Sequence, residues 1–268
     1  MSLTKVFKLG LSVCGGLLLS LCLGACKANA PVSGNVNQSV NATPTPEANT
    51  LAEAEKLYAG RAEDLARVRS AIIMLRADNA NYEAAWRLAK YNYYLGDNSK
   101  DEAEQTRAFA DGVQAGQQAA KLQPDKPEGH FWLGANLGGQ ARASVLSGMT
   151  SVDDIRREMK EVIRVDEGFQ GGAAYLALGQ SEMELPTMMG GDPKKAIEYL
   201  EKGEKLSATN ALTRYWLAKA YLATGRKAEA KAKLEEIAKM TPDPEYIPEH
   251  NKTKADAETL LKEEFGGK

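Results

Sequence analysis

The sequence predicts an all-α protein, and two observations carry that prediction before any repeat is considered. Apolar residues recur at helical spacing from about residue 51 to the carboxyl end, whereas Val, Ile and Thr runs with a two-residue period are missing. Helix-start signals also recur: residues 50–53 (TLAE) and 99–102 (SKDE) have the capping-box pattern, and Asp192-Pro193 pairs a cap with a first-turn proline.

The helical segments also repeat. PEGHFWLGANL (127–137), GAAYLALGQSE (172–182) and ALTRYWLAKAY (211–221) each place Leu and a small residue three and four positions after a large residue. Small residues let two antiparallel helices approach closely, and leucines fill the space between them. One helical hairpin cannot bury its apolar face alone, so we expect the copies to stack into a right-handed solenoid.

This pattern resembles the tetratricopeptide repeat (TPR) family. The segment after 221 supplies Gly225, Ala230, Leu234 and Pro242 at the family's offsets, and EAAWRLAKYNYYLGD supplies an earlier copy. Within a folded region of 51–268, the predicted repeats lie near 83–126, 127–171, 172–210 and 211–244, followed by a terminal helix at 253–264.

The spacing between copies is irregular. Successive starts are 44, 45 and 39 residues apart, whereas the family repeat is about 34 residues. We interpret the extra residues, around 97–107, 138–150 and 184–191, as insertions between the two helices of a repeat. The hypothesis is a collar over the concave face; neutral loop growth or longer helices is the alternative.

The amino-terminal 25 residues predict a secretory signal. Lys5 and Lys8 precede an apolar stretch from Leu9 to Leu23, which is shorter than the roughly 20 residues of a membrane span. The stretch ends in Leu23-Gly24-Ala25-Cys26, which resembles the lipobox of bacterial lipoproteins. That resemblance implies cleavage before Cys26 and acylation of its thiol; a plain signal peptide or a core cysteine is the alternative.

Residues 26–50 predict a flexible linker. The segment is built from Ala, Asn, Pro, Ser, Thr and Val with almost no charge, so it cannot bury enough apolar surface to offset its ordering entropy. Lys27 directly after the cysteine resembles lipoproteins sorted to the outer membrane. We therefore expect a lipid-anchored envelope protein, on the periplasmic side of the outer membrane rather than at the inner membrane.

The TPR resemblance also implies a binding groove lined by the first helix of each repeat. Carried onto this chain, the family's inner positions are Arg87, Tyr91, Tyr94, Phe131, Gln180, Glu184, Tyr215 and Lys219. This aromatic lining of mixed polarity suits a peptide or an amphiphilic small molecule. Packing of the aromatics between repeats is the alternative interpretation.

Catalysis and nucleic-acid binding are not indicated. Charges are interspersed, with a net charge of −2 and no arginine-aromatic stripe. Only two histidines occur, and zinc usually needs three or four ligands. We therefore predict no enzyme activity, no metal and no cofactor.

A closer resemblance concerns partners. The acylated signal, the imperfect repeats and GGDPKKAIEYLEKG (190–203) are similar to the T-component lipoproteins of TRAP transporters. That family implies a periplasmic solute-binding protein as partner, and some of its members are homo-oligomers. An envelope-assembly scaffold that binds other proteins in its groove is the alternative.

Overall fold

A computed structural model describes residues 46–77, 80–143, 145–243 and 246–266. These residues form α-helices, short 3₁₀ turns and loops, and none of the described residues is in a strand. The helices are α1 (Pro46–Ala59), α2 (Leu65–Arg76), α3 (Tyr82–Asn98), α4 (Glu102–Leu122), α5 (Pro127–Ala143), α6 (Val145–Val165), α7 (Ala173–Glu184), α8 (Pro193–Leu206), α9 (Ala211–Ala223), α10 (Lys227–Lys239) and α11 (Ile247–Phe265). The all-α prediction is confirmed.

Consecutive helices pair into five hairpins, from α1–α2 to α9–α10, and α11 follows the last hairpin. Neighbouring hairpins stack because α2 packs on α3, α4 on α5, α6 on α7 and α8 on α9. The first helices of neighbouring hairpins also contact each other, α3 with α5 and α7 with α9. The first helices therefore line the inner, concave side of a helical-hairpin solenoid.

Glycines set the close approach of paired helices. A Cβ on Gly179 of α7 would lie 2.4 Å from Cγ of Leu200 on α8, and a Cβ on Gly134 of α5 would lie 2.3 Å from Cε of Met159 on α6. The sequence pattern predicted small residues at these two positions. The turn between α9 and α10 holds Gly225 at φ 79°, a left-handed conformation that favours glycine.

Two buried clusters fill the solenoid. One extends from α1 to α7 and includes Trp132 and Phe131; the other extends from α7 to α11 and includes Trp216 and Leu217. The family-like leucines Leu178, Leu200, Leu217 and Leu234 are 1% exposed or less. The repeat pattern read from the sequence is therefore the pattern of the core.

The structure corrects the interpretation of the insertions at two of three places. Only residues 99–101 separate α3 from α4, and α6 begins two residues after α5 ends. The extra residues there lengthen helices: α4 and α6 have 21 residues each, against 13 in α10. An inserted loop does lie between α7 and α8, where Thr187–Met189 forms a 3₁₀ turn. The hypothesis that three inserted loops form a collar is therefore wrong.

Helix boundaries bring further corrections. Helix α1 begins at Pro46, so residues 46–50 of the predicted linker are helical and the expected cap at Thr50 lies inside the helix. Asp101, rather than Ser99, caps α4, accepting hydrogen bonds from the amides of Ala103 and Glu104. Helix α11 begins six residues before the expected 253.

Other helix predictions are confirmed or lie outside the described residues. Asp192 caps α8 as predicted, accepting from the amides of Lys194 and Lys195. The predicted signal, Cys26 and linker residues up to 45 lie outside the described part of the chain. No helix among the described residues is long and apolar enough to cross a membrane.

Candidate functional site

Four charged side chains of alternating sign follow one another across the concave face. They are Asp97 on α3, Arg142 on α5, Glu184 on α7 and Lys219 on α9, and we call them the charge ladder. Nη2 of Arg142 donates to Oδ1 of Asp97 over 3.1 Å, and these side chains are 10% and 18% exposed. Each first helix from α3 to α9 thus contributes one charge, and each charge has an opposite charge on its neighbour.

The ladder is buried enough to perturb the pKa of its members. Burial raises the pKa of Asp97 and of Glu184, while the neighbouring cations partly offset that effect. Burial lowers the pKa of Lys219, which Glu184 and Asp256 of α11 counteract. The mutual compensation keeps opposite charges together at a site with limited access to water.

A cluster of tyrosines forms the other end of the concave face. The ring of Tyr58 on α1 stacks on that of Tyr91 on α3, with centroids 4.2 Å apart, and meets Tyr94 edge-on at 5.7 Å. The guanidinium of Arg61 lies 4.9 Å from the centroid of Tyr58. We call Tyr58, Tyr91 and Tyr94 the tyrosine cluster; Tyr58 and Tyr91 are buried, and Tyr94 is partly exposed beside cationic groups.

The eight residues predicted to line a groove separate into two groups. Tyr91, Phe131, Gln180 and Tyr215 are 7% exposed or less, so their side chains belong to the packed interior. Phe131, for example, packs against Trp132 and Phe169. Arg87, Tyr94, Glu184 and Lys219 are partly exposed side chains of first helices.

The partly exposed residues have local partners. Nε of Arg87 donates to Glu55 of α1 over 2.6 Å, and its Nη1 donates to Glu83. Nζ of Lys219 lies 3.8 Å from the ring centroid of Trp216 one turn earlier. These contacts fix the guanidinium of Arg87 and the ammonium of Lys219. A ligand that binds them therefore pays less side-chain entropy for ordering them.

Sequence reasoning missed Asp97, Arg142 and Tyr58. Asp97 and Arg142 are 45 residues apart, and only the stacking of hairpins brings them together. The sequence signal that could have paired them is that each lies one residue before the end of a first helix, α3 or α5. Tyr58 was missed because the α1–α2 hairpin carries no Leu-small motif like those of the later copies.

The inserted loop after α7 is fixed to the neighbouring hairpin. Nη2 of Arg156 on α6 donates to the carbonyl of Gly190 over 3.1 Å and lies 3.0 Å from Oε1 of Glu182. A Cβ on Gly191 would lie 2.0 Å from the carbonyl oxygen of Leu185, which requires glycine there. Met188, in the 3₁₀ turn of this loop, is 93% exposed.

A second concavity lies on the outer side, between α2, α3 and α4. It encloses about 320 Å³ and is lined by Ile72, Ile73 and Leu95 together with charged residues. Two ion pairs cross it, Arg69 with Glu104 at 2.7 Å and Arg76 with Asp111 at 2.5 Å. These pairs satisfy the charges of the two outer helices and leave Ile73 exposed.

No cluster of three or more His, Cys, Asp or Glu side chains that could hold a metal ion occurs in the described residues. The nearest approach to an acid–base pair is His130 with Glu158, at 2.7 Å, between α5 and α6. Arg157 binds the same carboxylate. This contact joins helices rather than facing the concave side.

Comparison with known proteins agrees with this architecture. A family model described as tetratricopeptide repeat matches residues 188–247, and one described as regulator of microtubule dynamics protein 1-3 matches residues 50–151. No curated protein sequence matches the chain.

Solved structures extend the comparison to most of the chain. TTC0263, a thermophilic TPR protein of Thermus thermophilus, superposes with a TM-score of 0.58 at 21% identity, over 79% of this chain and 98% of that chain. The pilF protein of Pseudomonas aeruginosa superposes with a TM-score of 0.54 at 15% identity, over 82% and 94% of the two chains. The chain has the fold of a TPR protein. TPR proteins are typically non-enzymatic scaffolds, and their concave faces suit protein–protein interaction.

The two family matches cover different ends of the solenoid. The microtubule-regulator match covers α1 to α6 up to residue 151, including the tyrosine cluster, and the repeat match covers α8 to α10. The charge ladder runs from the first of these regions toward the second.

Proposed function

We propose that this TPR protein is an envelope lipoprotein that binds a protein partner through its concave face. The observation that carries the binding proposal is the charge ladder, in which four first helices each hold a partly buried charge on the same face. A partner that presents complementary charges gains orientation as well as affinity there, because misplaced like charges are penalised. Tyr94, the partly exposed member of the tyrosine cluster, adds aromatic contact area at the same face.

Anchoring by lipid on Cys26 is the second part of this proposal. It is supported by the lipobox-like Leu23-Gly24-Ala25-Cys26 behind a short apolar leader. One acyl chain holds a protein at a membrane only marginally, and two or more hold it firmly. Lys27 favours the outer membrane.

We further propose that the partner is a periplasmic solute-binding protein, as for TRAP T-components. The support is the similarity of residues 190–203 together with Asp192, which caps α8 in that segment. No sequence or structural observation on the described residues favours a cofactor, and a homo-oligomer is compatible with the exposed loop that carries Met188.

The anchor is tested in the native bacterium. Cys26→Ala is expected to abolish incorporation of labelled palmitate and to move the protein from the membrane to the soluble fraction. Cys22→Ala, in the leader, is the matched control and is expected to leave both unchanged. Palmitate incorporation into Cys26→Ala would overturn the anchor.

The partner is tested by crosslinking in cells followed by mass spectrometry. Lys219→Met is expected to reduce partner recovery at least tenfold, whereas Lys231→Met, on the outer surface of α10, is expected to have no effect. A solute-binding protein as the recovered partner would support the TRAP assignment, and an envelope-assembly protein would overturn it in favour of a scaffold. Equal recovery with both variants would overturn the concave face as the binding site.

A further inference from the structure

The last helix, α11, lies on the concave face. Its carboxyl-terminal half packs on α9 and α10, where Ala257 is 2% exposed and Leu260, Leu261 and Phe265 contact the second core cluster. This half resembles the start of a further hairpin. It is therefore firmly attached by apolar contacts.

The amino-terminal half of α11 reaches the opposite side of the face. Glu249 lies within electrostatic reach of Tyr94, and Lys252 within reach of Asp97, both on α3. Tyr246, just before the helix, lies within electrostatic reach of Tyr58 on α1. The helix therefore packs on α9 and α10 of the last hairpin, while its amino-terminal half lies toward the tyrosine cluster and Asp97.

One stripe of α11 faces the solenoid. His250, Thr253 and Ala257 are 6%, 6% and 2% exposed, and they recur at the i, i+3, i+7 spacing of a single helical face. Ala255, on another side of the same helix, is exposed. This is the geometry by which an amphipathic helix binds in a groove.

The charges of α11 match the ends of the ladder. Lys252 acts on Asp97 at the α3 end, and Asp256 acts on Lys219 at the α9 end. Lys252 and Asp256 also pair with each other at 3.1 Å, one helical turn apart. The side chains of Lys252 and Asp256 are 63% and 33% exposed, so a cation followed by an anion at i, i+4 fits at the edge of this face.

The docking of the amino-terminal half is incomplete. Oε2 of Glu249 is buried without a hydrogen-bond partner, and such burial opposes association. The hydroxyl of Thr253 donates within α11 itself, to the carbonyl of Glu249, instead of to the solenoid. The amino-terminal half is thus held less firmly than the carboxyl-terminal half.

We propose that α11 is a built-in competitor for the concave face, and that the external ligand is an amphipathic helix of a partner protein with a cation and an anion one turn apart. This inference rests on the proposed partner-binding function and specifies the shape and charge of the partner segment. Partner binding requires release of the amino-terminal half of α11. Because the competitor is covalently attached, its effective concentration is in the millimolar range, and a free helix binds weakly until α11 is displaced.

The test uses the chain from residue 27 to its end and a fluorescent peptide with the sequence of residues 246–266. Ala257→Arg places a long charged side chain in the buried stripe and is expected to undock α11. Ala255→Arg makes the same substitution on the exposed side of the helix and is the matched control. Anisotropy titration is expected to give at least tenfold tighter peptide binding to Ala257→Arg than to the unmodified chain or to Ala255→Arg.

Hydrogen exchange reports on α11 in the same samples. Faster exchange of amides 247–256 in Ala257→Arg, without tighter peptide binding, would overturn the competitor role. Unchanged exchange would contradict the packing on which the inference rests. Thr253→Arg, in the half distant from the second core, gives the same readouts if Ala257→Arg unfolds the last hairpin.

Recovery of the cellular partner separates this inference from the proposed function. Partner recovery is expected to rise in Ala257→Arg and to remain unchanged in Ala255→Arg. Recovery that depends on Lys219 but not on Ala257 would leave the partner-binding function standing and overturn the competitor role. Recovery that depends on neither residue would overturn the proposed function itself.

Discussion

His130 and Glu158 form a hydrogen-bonded pair that joins α5 to α6. Nδ1 of His130 lies 2.7 Å from Oε2 of Glu158, and Nε2 lies 3.0 Å from the carbonyl oxygen of Pro124. Both ring nitrogens therefore face acceptors, which only the doubly protonated imidazolium can satisfy. The hydrogen bond to Glu158 is the main cause that raises the pKa of His130.

The first prediction concerns the pH dependence of stability. Because the folded pKa of His130 is raised, its stabilising contribution is full below the unfolded pKa of about 6.5 and is lost as pH rises through the folded pKa. We expect the free energy of unfolding in urea to fall over that interval in the unmodified chain and to fall less in His130→Gln. An unchanged slope in His130→Gln would assign the pH dependence to other groups.

His250 supplies a contrast of opposite sign. Burial lowers the pKa of His250, with a smaller contribution from the charge of Lys254. Its contribution is present above the unfolded pKa and is lost as pH falls through the folded pKa. We expect His250→Gln to weaken the acid-side loss of stability while preserving the loss at higher pH, as measured by the same urea titrations.

The second prediction uses two glycines in the stacked middle hairpins. A Cβ on Gly116 of α4 would lie 2.7 Å from the backbone Cα of Leu133, whereas the nearest atom to a Cβ on Gly138 of α5 is 3.8 Å away. Gly116→Ala is expected to reduce stability by about 1–3 kcal/mol, since backbone must shift. Gly138→Ala is expected to raise it by about 0.5–1 kcal/mol through helix propensity. Thermal and urea unfolding measure both; a stabilising Gly116→Ala would contradict the close helix approach.

The third prediction tests the charge ladder. Arg142→Met leaves the carboxylates of Asp97 and Glu184 without their shared cation. We expect the free energy of unfolding, measured in urea, to fall by about 3 kcal/mol at neutral pH. The loss is expected to shrink as pH falls, because both carboxyl groups already have raised pKa values and protonate when Arg142 is removed. Arg164→Met, at an exposed ion pair with Glu161, is the control and is expected to leave the free energy of unfolding almost unchanged.

The fourth prediction concerns the start of α8. Asp192→Ala removes the acceptor for the amides of Lys194 and Lys195 and is expected to cost about 1 kcal/mol. Asp153→Ala, at a carboxylate that is 96% exposed within α6, is the control. Equal stability of the two variants in urea titration would show that the cap contributes nothing measurable.

Local pattern was sufficient to predict much of this fold. The Leu-small motif identified the helices whose glycines meet leucines across a hairpin, because the close approach depends on residues within one repeat. The α1–α2 hairpin escaped notice although Val68, Ala71, Ile72 and Leu75 form a buried helical stripe in α2. The α1–α2 hairpin lacks the spacing of a large residue, Leu and a small residue that marks the first helices of the later copies.

The candidate site could be predicted only in part. Glu184 and Lys219 are partly exposed, so their place in a binding groove stays a prediction, whereas Tyr91, Phe131 and Gln180 are fully buried. Burial of such residues depends on neighbouring hairpins, and Tyr58 and Tyr94 also lie within electrostatic reach of α11, which returns from a distant part of the sequence. Helical periodicity carries no information about that return, so the partner of Asp97 on α5 and the cover of the concave face were both missed.

The crossing of α11 changes how the ends of the solenoid depend on each other. A stack of repeats with nearest-neighbour contacts alone frays independently at its two ends. Here α11 packs on α9 and lies within electrostatic reach of α1 and α3, so opening the last hairpin withdraws support from the first two. Local unfolding at one end therefore favours local unfolding at the other. A partner that displaces α11 would make the two ends independent, so the ends of the bound protein would open more readily than those of the free one.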